Sequence, residues 1–135
     1  MAYKIDQIEG IGDKCARKFE EPGVVTTEQL LERAATPKGR ETLARESGIA
    51  VKLILKWANH ADLFRIKGVA GQFAELLEAA GVDTVNELRH RVAANLHAKL
   101  VEINDVKNLC NRVPAVSEVQ RMIDQAKELD PIMTY

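Results

Sequence analysis

The sequence predicts an all-α fold built from two tandem repeats, and three observations carry the prediction. Residues 8 to 30 align without a gap on residues 66 to 88, a shift of 58 positions in which Ile8, Gly10, Ala16, Gly23, Val24, Thr26 and Leu30 recur as Ile66, Gly68, Ala74, Gly81, Val82, Thr84 and Leu88. Helix-start signals follow the same Gly-Val pair in both copies. Apolar residues recur at helical spacing near the end of each copy, and no alternating run of β-branched residues competes with them.

The first element is a short helix that ends in the turn Gly10-Ile11-Gly12, with another helix beginning at once from Asp13. Two glycines permit positive φ and close backbone approach. Ile11 between them turns inward as an apolar plug, which leaves the turn's N–H groups and the new helix's N-terminus facing outward, a place for a phosphate oxygen. Lys14 and Lys18 stand one helical turn apart, with Arg17 between them. Thr26-x-x-Gln29 then reads as a capping box that opens the next helix. Ile54, Trp57, Ala58 and Ala61 form one apolar stripe at i, i+3, i+4 and i+7.

The second copy opens on Ile66-Lys67-Gly68-Val69-Ala70-Gly71 and continues to a second capping signal, Thr84-x-x-Glu87. Its hairpin keeps the glycines, but Gln72, Glu75 and Glu78 stand along its following helix and Lys67 is the only nearby cation, so its role reads as structural. Later the register slips by seven residues, with the extra length around Val101 to Val113, so that Ala50, Val51, Ile54, Trp57 and Ala61 fall opposite Ala115, Val116, Val119, Met122 and Ala126. Val116, Val119, Ile123 and Ala126 give the last helix its stripe, and residues 130–135 read as a loose tail. The organisation expected is therefore repeat one over residues 1–60, repeat two over 61–129 and the tail, with eight to ten helices packed as one compact domain about a pseudo-two-fold axis.

A chain of 135 residues buries a core without a metal or disulfide staple. Cys15 and Cys110 form no CxxC, and Cys15 falls opposite Phe73, the place of a small buried hydrophobe rather than of a catalytic thiol. The segment from Met1 to Asp6 lacks the succession of a signal peptide and no apolar run reaches membrane-spanning length, which points to a reduced, cytoplasmic setting without membrane contact. Lys plus Arg number 19 against 20 Asp plus Glu, a net charge of -1, so no global basic field exists. Divided after His60, the first part holds 10 basic and 9 acidic residues and the second 9 and 11, which makes the first the anion-facing part.

The stretch from Ile8 to Phe19 resembles the helix-hairpin-helix motif of DNA-repair and recombination proteins, through Gly10, Ile11, Gly12, Ala16 and Phe19. The resemblance implies a hairpin that grips the nucleic-acid backbone without reading bases, with the amides of Gly10, Ile11 and Gly12 on a phosphate and Lys14 at the family's basic contact. Such turns also hold monovalent cations through carbonyl groups, here those of Ile8 to Ile11. Asp13 departs from the pattern, since its carboxylate repels a phosphate. Over nearly the whole chain, the pairing of this hairpin with Gly-Val-Asp-Thr-Val-x-Glu-Leu (81–88) and a late Pro-x-Val is similar to the bacterial tandem helix-hairpin-helix family called domain of unknown function 4332. That family name implies a fold and no activity.

Two readings of the first hairpin stand at this level. Gly10, Ile11, Gly12, Lys14, Arg17 and Lys18 form a phosphate-binding site for sequence-independent DNA or RNA contact, or the hairpin is a tight turn whose helices dock another protein as an adaptor. Self-association serves either role. Lys67, Gly68, Val69 and Gly71 are assigned to the second, structural hairpin, and Trp57 to the core rather than to a base-stacking platform. His90 and His97 are seven residues apart and share a helical face if one helix contains both, but no Cys or carboxylate joins them, so neither metal nor cofactor is expected. No Ser-His-Asp set, catalytic carboxylate pair or GxxxxGK loop appears, and the expectation is a binding protein and not an enzyme.

Overall fold

A computed structural model describes residues 3–69 and 71–135; Met1, Ala2 and Ala70, which fall in the N-terminal reading and the second glycine turn, lie outside the described residues. The chain is all-α. A 3-10 helix over Ile5–Gln7 precedes α1 (Asp13–Glu20), α2 (Thr27–Arg33), α3 (Pro37–Ser47), α4 (Val51–Leu63), α5 (Gly71–Ala79), α6 (Val85–Leu88), α7 (Ala93–Lys107) and α8 (Val116–Glu128). Among the described residues no strand forms, and a single isolated bridge joins Lys4 to Thr26. Among the described residues no helix is long and apolar enough to cross a membrane.

The chain divides into two compact units, one running to Asp62 and completed by Ile132–Tyr135, the other covering Leu63–Pro131. In the first, the Ile8 N–H donates to the Ile5 carbonyl (3.2 Å) and the Ile11 N–H to that of Ile8 (3.1 Å). After α1, the N–H groups of Gly23 and Val24 donate back to Glu20 and Phe19, each at 2.9 Å, the paired bonds that close a helix C-terminus. In the second unit every one of these bonds has a counterpart 58 residues on: Ile66 to Leu63 (3.0 Å), Val69 to Ile66 (3.1 Å), Gly81 to Glu78 (3.0 Å) and Val82 to Leu77 (2.8 Å). Sequence identity at 8–30 and 66–88 is thus matched by identical local hydrogen bonding.

Thr26 forms a full capping box on α2: its hydroxyl accepts from the Gln29 N–H (3.1 Å), and Gln29 Oε1 accepts from the Thr26 N–H (3.2 Å). Thr84 repeats the hydroxyl half of it, accepting from the Glu87 N–H at 3.2 Å. Thr26→Ala leaves the Gln29 amide orphaned at the start of α2, and a stability loss of about 1 kcal/mol is expected in urea unfolding. An unchanged midpoint would show that water replaces the cap without cost.

The helices α4 and α8 are each 13 residues long and bury Ile54, Trp57, Ala58 and Ala61 in one unit and Val119, Met122, Ile123 and Ala126 in the other. Val116, expected on the stripe, is 42% exposed, because it opens α8 half a turn before the buried face begins. The extra length of the second part divides between α7, 15 residues against 11 in α3, and the segment 109–115 that follows its left-handed Asn108 cap.

Residues 130–135 depart from the loose tail that composition suggests. The Thr134 N–H donates to the Ala35 carbonyl (2.8 Å), Met133 is 9% exposed, and the guanidinium of Arg40 donates to Ala34 (2.9 Å) and Thr134 (2.8 Å) carbonyls. A buried guanidinium needs acceptors and a short segment can supply one, which local composition does not reveal.

Candidate functional site

The site begins with the core beneath it. Phe19 from α1 and Trp57 from α4 meet edge to face, centroids 6.1 Å apart at 73°, and both are buried. Gly10 rests on this pair: its φ is +95°, and a Cβ there would stand 3.3 Å from the indole Nε1 of Trp57. Glycine is required at this place by conformation and by space together. Ile11 is buried, as an inward plug must be, but its N–H is taken by the Ile8 carbonyl (3.1 Å), so this amide of the expected phosphate donors is not free for an anion.

Gly12 is the N-cap of α1, with extended backbone, no side-chain cap bond and nothing within 4 Å of where a Cβ would stand. The Ala16 N–H is the one that first bonds back, to the Gly12 carbonyl at 3.0 Å, so the amides of Asp13, Lys14 and Cys15 open the helix without an intrahelical acceptor. Lys14, Arg17 and Lys18 are all exposed on α1, Lys14 and Lys18 one turn apart. Among the described residues none of the three is held in an ion pair. The uncapped helix start and the cations are therefore on one short element and open to solvent. Asp13 is exposed as well and sits in the first turn, where its charge complements the helix dipole and competes with an incoming anion.

The second glycine turn is built alike but closed by its own unit. Gly68 also has φ +95°, and a Cβ there would stand 3.3 Å from Cε of Met122, the residue aligned with Trp57. Val69 is buried, Gly71 starts α5 half-buried, and the exposed Lys67 gives its N–H to Oε1 of Gln125 on α8 (3.0 Å). This amide corresponds to that of Glu9, just before the first glycine turn.

Several other residues single themselves out by sequence and are placed differently. His90 lies in the turn after α6 and donates its Nδ1–H to the Asn86 carbonyl (2.7 Å), whereas His97 is on α7; the break at Arg91-Val92 denies them a common helix. Among the described residues no group of three His, Cys, Asp or Glu forms a metal-binding set. Cys15 is half-buried rather than enclosed, since α1 is short and its flank is open, while Cys110 is buried with its N–H on Asn104 Oδ1 (2.9 Å). One feature escapes sequence reasoning: a groove of about 320 Å³ between Lys4, Asp6, Ala16, Glu20 and Val25, opposite the basic face of α1. It exists because the Lys4–Thr26 bridge brings the N-terminal segment alongside α1, a non-local pairing without a local signal.

The family model described as Domain of unknown function (DUF4332) matches residues 9–129, which include the whole first glycine turn and the helices α1 to α8. No curated protein and no solved structure matches the chain.

Proposed function

Because the chain belongs to the DUF4332 family, whose description assigns no activity, we propose its function from its own geometry: sequence-independent binding of a nucleic-acid backbone through a helix-hairpin-helix at Gly10–Lys18. One observation carries the reading, the uncapped start of α1 beside the exposed Lys14 and Lys18. The amides of Gly12 and Asp13 supply donors to a phosphate oxygen, the helix dipole favours the negative charge, and Lys14, Arg17 and Lys18 supply counter-charge. Ile11 and Gly10 hold the turn in shape from below. The second hairpin takes no part, since its helix carries Gln72 and Glu75 where the first has Lys14 and Arg17.

Such a site makes two or three phosphate contacts, so binding is weak and its slope in log K against log salt is about -2 to -3. Useful affinity then needs a second copy or a partner protein. The test is fluorescence anisotropy with duplex, single-stranded and branched DNA at low and near-physiological salt. The expected result is salt-sensitive binding that Lys14→Glu/Lys18→Glu abolishes while the fold is retained. Absence of binding to every form at low salt would overturn the reading.

A protein-docking adaptor is the second reading, favoured by the net charge of -1 and by Val51 and Leu53, each 42% exposed beside a shallow groove lined by Glu41, Ala44, Arg45, Ile49 and Ala50. It is non-catalytic as well, and it gains if DNA fails to bind.

A further inference from the structure

We infer that the first unit carries a receiving site for an extended peptide segment, with Ile132–Tyr135 as its resident and exchangeable ligand, and that the same segment of a second copy of this chain can replace it. The site is built around Arg40. This residue is 4% exposed, yet its guanidinium donates to two carbonyls, one of the unit's own Ala34 (2.9 Å) and one of Thr134 (2.8 Å). A buried guanidinium held by carbonyls is a reader of main chain, since a carbonyl is available on any peptide segment. The adjacent Ala35 carbonyl takes the Thr134 N–H at 2.8 Å, so both polar groups of one peptide residue are gripped.

Two side chains, Met133 and Tyr135, add selectivity. Met133 is buried, and the ring of Tyr135 lies 5.6 Å from the Arg40 guanidinium carbon and gives its hydroxyl to Oδ1 of the buried Asn59 (2.9 Å). Ile132 and Thr134 are exposed, and Tyr135 is 69% exposed beyond these two contacts. The ligand class follows: an extended peptide with an unbranched apolar residue, any residue but proline, and a phenol in succession. Backbone bonds of this kind give affinity and alternate side chains give specificity.

Exchange is favoured by how little must be undone. Four residues dock with one buried side chain among them, and their ordering entropy opposes the few bonds they form. The carbonyls of Ala34 and Ala35 close the C-terminal end of α2, where water can take over when the segment leaves. A copy supplied in trans makes the same contacts, the condition under which segments swap between protomers. Nothing in this depends on whether the glycine turn binds an anion.

The test uses the full chain and a fluorescent synthetic peptide of residues 128–135. In Thr134→Pro/Tyr135→Ala the resident segment loses the N–H and the ring, so the peptide is expected to bind this variant at least about tenfold more tightly than the wild-type chain, where the resident competes. A peptide carrying Tyr135→Phe lacks the hydroxyl bond to Asn59 and is expected to bind the variant about fivefold more weakly. No binding to the variant, equal binding to both chains, or indifference to Tyr135→Phe would each overturn the inference. If the variant loses its helical circular dichroism, amide exchange in the wild-type chain decides. Thr134, which exchanges when the segment undocks, is expected to exchange at least about a hundredfold faster than Leu30 in α2; one common rate would show a segment that leaves only on global unfolding.

Discussion

Phe19→Ala is expected to lower the stability of the first unit by about 3–5 kcal/mol, the largest effect of any single substitution considered for this chain. The ring is fully buried, meets Trp57 edge to face at 6.1 Å, and through Trp57 supports the glycine turn at Gly10. Truncation to a methyl group removes apolar area and leaves a space beside Trp57 that a buried core does not readily refill. A unit of this size loses about 4–8 °C in Tm per kcal/mol, so a fall of about 15 °C or more is expected in a calorimetric scan. A fall of under about 5 °C would show that the core collapses around the deletion. The variant also separates fold from function, because DNA binding that survives such a loss does not run through the α1 turn.

Gly39→Ala reverses the usual sign of its class. Replacing a glycine in a helix by alanine ordinarily stabilises by about 0.5–1 kcal/mol. Here Gly39 is the third residue of α3, and a Cβ would stand 2.3 Å from the Arg33 carbonyl oxygen at the end of α2. That carbonyl cannot easily retreat. Arg33 is fixed by its own side chain, which donates to the Pro22 carbonyl (2.7 Å) and pairs with Glu46, and the intervening Ala34 carbonyl is held by Arg40. Overpacking against backbone costs about 1–3 kcal/mol, enough to exceed the propensity gain, and a net loss of about 2 kcal/mol is expected in urea unfolding. A gain in stability would mean that the short 34–36 connection yields.

Helical class and the local turns and caps were legible in the sequence because each rests on local patterns. The 58-residue shift places Gly10 with Gly68, Thr26 with Thr84 and Phe19 with Leu77, and the same backbone hydrogen bonds form at both places. Turn geometry, caps and apolar period are decided within a few residues, so a linear pattern is sufficient to state them. Even the slip of seven residues was readable, since it aligned Trp57 with Met122, and each of these side chains lies against the glycine of its own turn.

Contacts between residues far apart in the chain were left to the tertiary structure. Whether Lys67 spends its amide on Gln125, whether Gly39 faces a carbonyl, and whether residues 132–135 stay loose or bind Arg40 across 94 residues all depend on where packing brings distant groups. Polar satisfaction of a buried group, unlike helix periodicity, has no fixed spacing: Arg40 requires acceptors somewhere, and only the folded chain determines that Thr134 provides one.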